Sequence, residues 1–338
     1  MMSRNGFSGS QILGNMSLLE SLDLSNNNFS GSIPSSLLKC NEFKIMGVNY
    51  NHLSGKIPNW IGNLSQLQIL HLSQNNIFGS LSCNFCPKDF TEVHLFKNML
   101  QGLLKDSFHN CPSLVVLDIS HNNLIGRISK WIGEIPLSYI LLSQNHFEGE
   151  IPIQLCNCSS WYEKREKSNQ PSRFFNPETG VSVRLMYSSY FYQAIILRYF
   201  SGIDLSCNFL RGEIPPEIGN LSMIKVNPIT FSNLGQIESL DLSYNNLEGK
   251  IPPQLTRLYS LAVFSVAHNN FSGKTSERLA QFATFEGNPL LCGLPLPKSC
   301  NNISPLSPAT PIEEKEDNDS SAVQIWIFIE LRMYKFNA

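Results

Sequence analysis

Residues Leu19 to Leu38 read Leu-Glu-Ser-Leu-Asp-Leu-Ser-Asn-Asn-Asn-Phe-Ser-Gly-Ser-Ile-Pro-Ser-Ser-Leu-Leu, and most of the 338-residue chain is built of copies of this unit. Asn27 recurs as Asn51, Asn75, Asn98, Asn122 and Asn145, and again as Asn208, Asn245 and Asn269. The first gaps are 24, 24, 23, 24 and 23 residues, and self-similarity at such a period marks a stacked solenoid. Within the unit, Leu22 and Leu24 alternate with Asp23 and Ser25, as a short strand with one buried face requires. Asn27 sits where the chain leaves that strand, and its amide can both donate to and accept from the backbone of neighbouring coils. Gly31 supplies a turn, Ile33 an inward side chain, and Pro34 a fixed φ on the return path.

These blocks resemble plant-type leucine-rich repeats, LxxLxLxxNxLSGxIPxxL, in the segments starting at Leu19, Phe43, Ile203, Ile237 and Leu261. The pairs Ile33-Pro34, Ile57-Pro58, Ile151-Pro152, Ile214-Pro215 and Ile251-Pro252 keep the same register. The resemblance implies a solenoid with a parallel β-sheet on its concave face, a convex side of 3-10 and irregular segments, and a right-handed superhelix. It further implies the C-terminal ectodomain of a kinase-lacking receptor-like protein.

Composition narrows the function classes. A net charge of −2 with 15% charged residues offers no basic field for nucleic acid. No dinucleotide, P-loop, HExxH or GxSxG context occurs, so no catalytic residues, cofactor or enzyme activity are expected. The carboxylates Asp23, Asp118, Asp204 and Asp241 share one strand position and are read as a recurring solvent-facing residue. His71, His94 and His121 lie in or beside strands one or two coils apart and are read as polar surface. Cys83 and Cys86 lack a second pair at ligand spacing, so no metal site is expected.

The expected organisation is a partial repeat at 1–18, repeats at 19–156, an insertion at 157–200, and repeats at 201–285. A cap at 286–300, an acidic linker at 301–321 and an atypical remnant of a membrane anchor at 322–338 complete it. Asn145 and Asn208 are 63 residues apart, one coil plus about 39. The family places a segment called the island there. Asn208 and Asn245 are 37 apart, one coil plus 13, about 11 residues short of a second coil, which reads either as a short coil with a gap in the asparagine series or as a wrong exon boundary in the gene model. The N-terminus lacks the apolar stretch of a secretory signal and starts inside a repeat, so upstream repeats are expected. The eight residues Ala322 to Ile329 are too short to cross a bilayer, about 12 Å as a helix against roughly 30 Å.

Cys292 and Cys300 close a short loop where the last coil needs covering, and they match the family's cap as a disulfide. Eight Asn-x-Ser sequons, at Asn15, Asn28, Asn63, Asn157, Asn220, Asn270, Asn302 and Asn318, are candidate glycosylation sites of an extracellular protein. The expected ligand face combines Leu141, Ser143, Gln144, Asp204 and Ser206 with the insertion's Tyr187, Tyr190, Phe191 and Tyr192. By resemblance, it takes an extracellular peptide or protein in development or defence. A co-receptor kinase is expected to meet Ser265, Ala267, His268 and Lys274, at the plasma membrane. Two other readings stand beside this one: a secreted leucine-rich-repeat inhibitor of cell-wall-degrading enzymes, and a non-functional truncated gene copy.

Overall fold

The computed structural model describes residues 8–9, 18–82, 85–104, 107–156, 180–185, 188–193, 201–222 and 237–300. Each coil contributes one three-residue strand to a ten-stranded parallel sheet, the concave face of the solenoid, in chain order from Ser21–Asp23 to the two-residue Ala283–Thr284. The middle residues stack in register: Leu22, Met46, Leu70, Val93, Leu117, Ile140, Ile203, Leu240 and Phe264. All are buried. This column runs the length of the molecule as one core, each side chain contributing about 1.5–3 kcal/mol as an upper bound.

A second sheet, which the repeat pattern does not announce, has eleven parallel strands from Ser8–Gly9 to Leu290–Cys292. It is formed by the Asn-x-Leu-x-Gly stretch that follows each turn, for example Asn123–Arg127 and Asn246–Lys250. Its inward residues, Phe29, Leu53, Ile77, Leu100, Leu124, Phe147, Leu210, Leu247 and Phe271, meet the first column from the other side. One glycine per coil ends these strands with φ between 79° and 89°, from Gly31 to Gly273. A side chain would be strained there. The Ile-Pro pair then leads into 3-10 turns such as Ser35–Lys39, Asn59–Asn63 and Pro253–Arg257, with Pro34, Pro58 and Pro252 at φ −75°, −69° and −62°.

The asparagines join the two sheets. Asn145 Nδ2 donates to the carbonyls of Leu142 and Ser143 in its own coil and of Ile119 in the coil before, at 3.1, 3.2 and 3.0 Å. Its Oδ1 accepts the amide of Leu124 at 3.1 Å. The same four bonds recur at Asn51, where Phe29 is the donor to Oδ1. They recur again at Asn122. The Ser143 carbonyl also accepts the His121 amide, whereas the Leu142 and Ile119 carbonyls and the Leu124 amide rely on ladder asparagines. The residue before each asparagine, from Asn26 to His268, takes φ of 52–55°, and its amide bonds forward to the next coil.

Two irregular intervals leave this ladder intact. Asn208 donates to Leu142 O at 3.1 Å and accepts from Phe147 N at 2.9 Å, so the coils on either side of the insertion are direct neighbours. Asn245 in turn donates to Leu205 O at 3.0 Å and accepts from Leu210 N at 3.0 Å. The alternative of a short coil with a gap in the asparagine series is therefore not seen between these two coils. Strands Gly202–Asp204 and Ser239–Asp241 pair directly, so these two coils are neighbours in the stack.

The coil after Asn75 has lost its Ile-Pro pair and is filled differently. Phe85 packs on Phe90 and Phe108 at 5.7 Å between ring centroids, and Phe108 packs on Trp131 at 5.8 Å. Cys86 is disulfide-bonded to Cys111, a pairing the spacing alone did not suggest, and this removes Cys86 as a zinc ligand.

At the C-terminal end the ladder extends one step further than expected. Asn288 donates to Val266 O at 2.8 Å and accepts from Phe271 N at 3.0 Å. The expected disulfide Cys292–Cys300 closes over this last coil. Within the insertion, Gly180–Leu185 and Ser188–Gln193 form an antiparallel hairpin in which Tyr190, Phe191 and Tyr192 pair with Val183, Ser182 and Val181. Tyr187, the acidic linker and the 322–338 segment lie outside the described residues. Among the described residues, no helix is long and apolar enough to cross a membrane.

Candidate functional site

The strand residue after the core column points away from the core, and in sequence order these residues are Asp23, Gly47, His71, His94, Asp118, Leu141, Asp204, Asp241 and Ser265. The row is therefore polar and changes character along the axis. His71 and His94 are neighbours in it, and the carboxylates lie on both sides of them, Asp23 before and Asp118, Asp204 and Asp241 after.

The carboxylates differ from the expected solvent-facing column. Asp118 and Asp241 are 2% and 3% exposed, while Asp23 and Asp204 are half-buried. Each folds onto its own turn. Asp241 Oδ1 accepts the amide and hydroxyl of Ser243 at 2.9 and 2.7 Å, and Asp204 does the same with Ser206 at 3.0 and 2.7 Å. Asp118 repeats the pattern with Ser120 at 3.1 and 2.6 Å. The Asp-x-Ser pair is a clamp on the turn into the asparagine, which is why it recurs. Burial, then the charge of Asp204, pushes the Asp241 carboxyl up to about 7 against the hydrogen bonds from Ser243 and Ser265. Cys207 is a free thiol between these coils, raised to about 11 by burial and by Asp204 and Asp241.

The histidines also depart from expectation. His94 is 3% exposed, and its ring meets that of half-buried His71 edge-on with centroids 4.5 Å apart. His94 Nε2 lies 3.6 Å from Oε2 of Glu92, which is 2% exposed. Burial lowers both imidazoles, His71 to about 3 with a further push from His94 and His94 to about 4, so both are neutral across the physiological range. His121 stands apart, edge-on to Phe96 at 5.0 Å. Glu92 was not singled out from the sequence, although Glu92 and His94 alternate onto one face and His71 precedes His94 by one period.

The expected ligand residues divide. Gln144 is exposed and Asp204 half-buried, whereas Leu141, Ser143 and Ser206 are buried, each less than 9% exposed. The insertion's Tyr190, Phe191 and Tyr192 share one strand of the hairpin. Of the expected co-receptor residues, Ser265 and Ala267 are buried, and His268 and Lys274 are exposed. His268 stacks on Tyr244 at 4.2 Å, whereas Lys274 ends a strand of the other sheet. Of the four, His268 and Lys274 are the exposed pair. Asn28, Asn63, Asn220 and Asn270 are exposed, and the sequons at Asn15, Asn157, Asn302 and Asn318 lie outside the described residues.

Comparison with known proteins points in one direction. The Leucine Rich Repeat family matches residues 18–40, 66–87, 113–135, 201–221 and 236–258. Cuscuta receptor 1 of Solanum lycopersicum is 55% identical over 47 residues, 14% of this chain and 4% of that protein. The Arabidopsis receptor kinase HAESA, solved with the peptide hormone IDA and the co-receptor SERK1, is similar with a TM-score of 0.64 at 26% identity. That likeness covers 88% of this chain and 41% of that one. A plant ice-binding protein shares the fold at TM-score 0.59 and 24% identity, over 85% of this chain and 78% of its own. The chain thus spans under half of the solved HAESA chain. With its matched repeats, two parallel sheets and asparagine ladder, the chain has the leucine-rich-repeat solenoid fold seen in the solved HAESA structure.

Proposed function

We propose that this chain is the recognition part of a plant cell-surface receptor. In this reading its concave sheet and inserted hairpin capture an extracellular peptide or protein, and it signals through a partner receptor kinase. The observation that carries the reading is the likeness to HAESA, whose solved complex contains a peptide hormone and a co-receptor, over 88% of this chain. A ten-stranded sheet presenting one row of side chains per coil suits an extended ligand running along the axis. Two disulfides and four exposed sequons suit an oxidising, extracellular setting.

Asp204 of the sheet and Gln144 of the turn after strand Tyr139–Leu141 are offered to such a ligand, with Tyr190, Phe191 and Tyr192 as aromatic anchors from the hairpin. His268 and Lys274, being exposed near the C-terminal end, are the residues offered to a co-receptor. The test is calorimetric titration of the purified chain against a library of secreted plant peptides, followed by the double variant Tyr190→Ala/Tyr192→Ala. A peptide bound by the wild type and about tenfold or more weaker to the variant, with unchanged melting, is the expected result. Equal affinity for both proteins would remove the hairpin from the site.

A further inference from the structure

We propose that His71, Glu92 and His94 form a binding site for one divalent transition-metal ion, with Zn2+ the best match. The three side chains come from adjacent strands of the concave sheet, Ile69–His71 and Glu92–His94, in which His71 pairs with His94. One ligand atom from each lies within 4.8 Å of the other two. A tetrahedral ion with bonds of about 2.0–2.2 Å needs donors roughly 3.4 Å apart. The 3.6 Å between His94 Nε2 and Glu92 Oε2 already meets this, and no pair needs to close by more than about 1.4 Å, within reach of side-chain rotation.

The nitrogens have no competing use. Nε2 of His71 and Nε2 of His94 are both inaccessible to solvent and have no hydrogen-bond partner among the described residues. Leaving two imidazole acceptors buried and unmatched is costly, and a metal ion is the partner that satisfies both at once. Two imidazoles and one carboxylate suit zinc rather than calcium or magnesium, which prefer all-oxygen shells. Glu92 is flanked in register by Ile69 and Val116, an apolar surround that excludes water from the carboxylate.

The site also has a mechanical context. His71 belongs to the coil that lost its Ile-Pro turn, and Glu92 and His94 to the coil that follows. Cys86–Cys111 ties down this irregular stretch, and an ion would cross-link the two coils at their concave strands.

The experiment uses the untagged full chain, dialysed against chelator and titrated with Zn2+ by calorimetry and with Co2+ by visible absorption. One equivalent of Zn2+ is expected, with a tetrahedral Co2+ band and a melting temperature raised by about 5 °C at a hundredfold excess over Kd. Glu92→Gln and His71→Asn are each expected to weaken binding by about tenfold or more, His121→Asn to leave it unchanged, and Ca2+ to be inert. Absence of a tetrahedral Co2+ band in the wild type would overturn the proposal even if the variants fail to fold. Equal Zn2+ affinity in wild type and His71→Asn/Glu92→Gln would overturn it as well.

Discussion

The coils from Asn51 to Asn145 follow one another every 23 or 24 residues, whereas the two steps from Asn145 to Asn208 and on to Asn245 take 63 and 37. In space the two regions are alike. Leu124 reaches Asn145 at 3.1 Å in the regular region, and Phe147 reaches Asn208 at 2.9 Å across the insertion. A coil is therefore defined by what the strand and its asparagine must satisfy, and sequence length between them is free to grow. Loop entropy explains the tolerance, since each doubling of a loop costs only about 0.6 kcal/mol. Four bonds at one asparagine outweigh that easily.

The comparison breaks most directly at the asparagines. Asn208→Ala and Asn145→Ala each remove four buried hydrogen bonds and are expected to cost about 4 kcal/mol in urea unfolding, equal to within about 1 kcal/mol. A small effect at Asn208 alone would mean that the insertion uncouples the two halves. Next in size, removing Cys86–Cys111 by paired alanines is expected to cost about 3 kcal/mol, because the bridge closes a loop of 25 residues around the irregular coil.

A pH titration sharpens the contrast at the later coils. Asp241 is raised from its ordinary 3.8 to about 7, so the folded state holds its proton more tightly than the unfolded state. That contribution is fully present below about 4 and is lost as pH rises through 7. Asp241→Asn keeps an oxygen for Ser243 and is expected to gain on the wild type between pH 5 and 7.5, on the order of 2 kcal/mol. A difference that does not change with pH would contradict the assignment. The smallest effect concerns the insertion. Exchanging residues 157–200 for a short Ser-Gly linker is expected to shift stability by under about 1 kcal/mol while abolishing any peptide binding.

Much of this fold is written in the spacing of nine asparagines and five Ile-Pro pairs, because a repeated chemical need leaves a repeated letter. Asn27 announces a turn that must bond its own carbonyls, and Leu22 and Leu24 announce the face to be covered. The second sheet was not legible, since Asn-x-Leu-x-Gly reads as turn chemistry until its neighbours are stacked beside it. Asn288 was hidden because it follows Asn269 by 19 residues and sits inside the cap sequence.

The candidate site was less visible than the scaffold. Asp118 and Asp241 look like solvent-facing residues by alternation, yet the following serine folds them down onto the turn. Glu92 and His71 become partners only when a 23-residue step is converted into adjacent strands. Aromatics such as Tyr190 stand out by type, but a residue's type does not say what it touches.

Amide hydrogen exchange at Phe147 and Leu210 is the decisive observation, because these two protons bridge the irregular intervals to Asn208 and Asn245. Protection equal to that of Leu124 and Leu247, their counterparts in uninterrupted coils, is the expected outcome. Exchange at Phe147 or Leu210 as fast as in a surface loop would show that the stack is broken there.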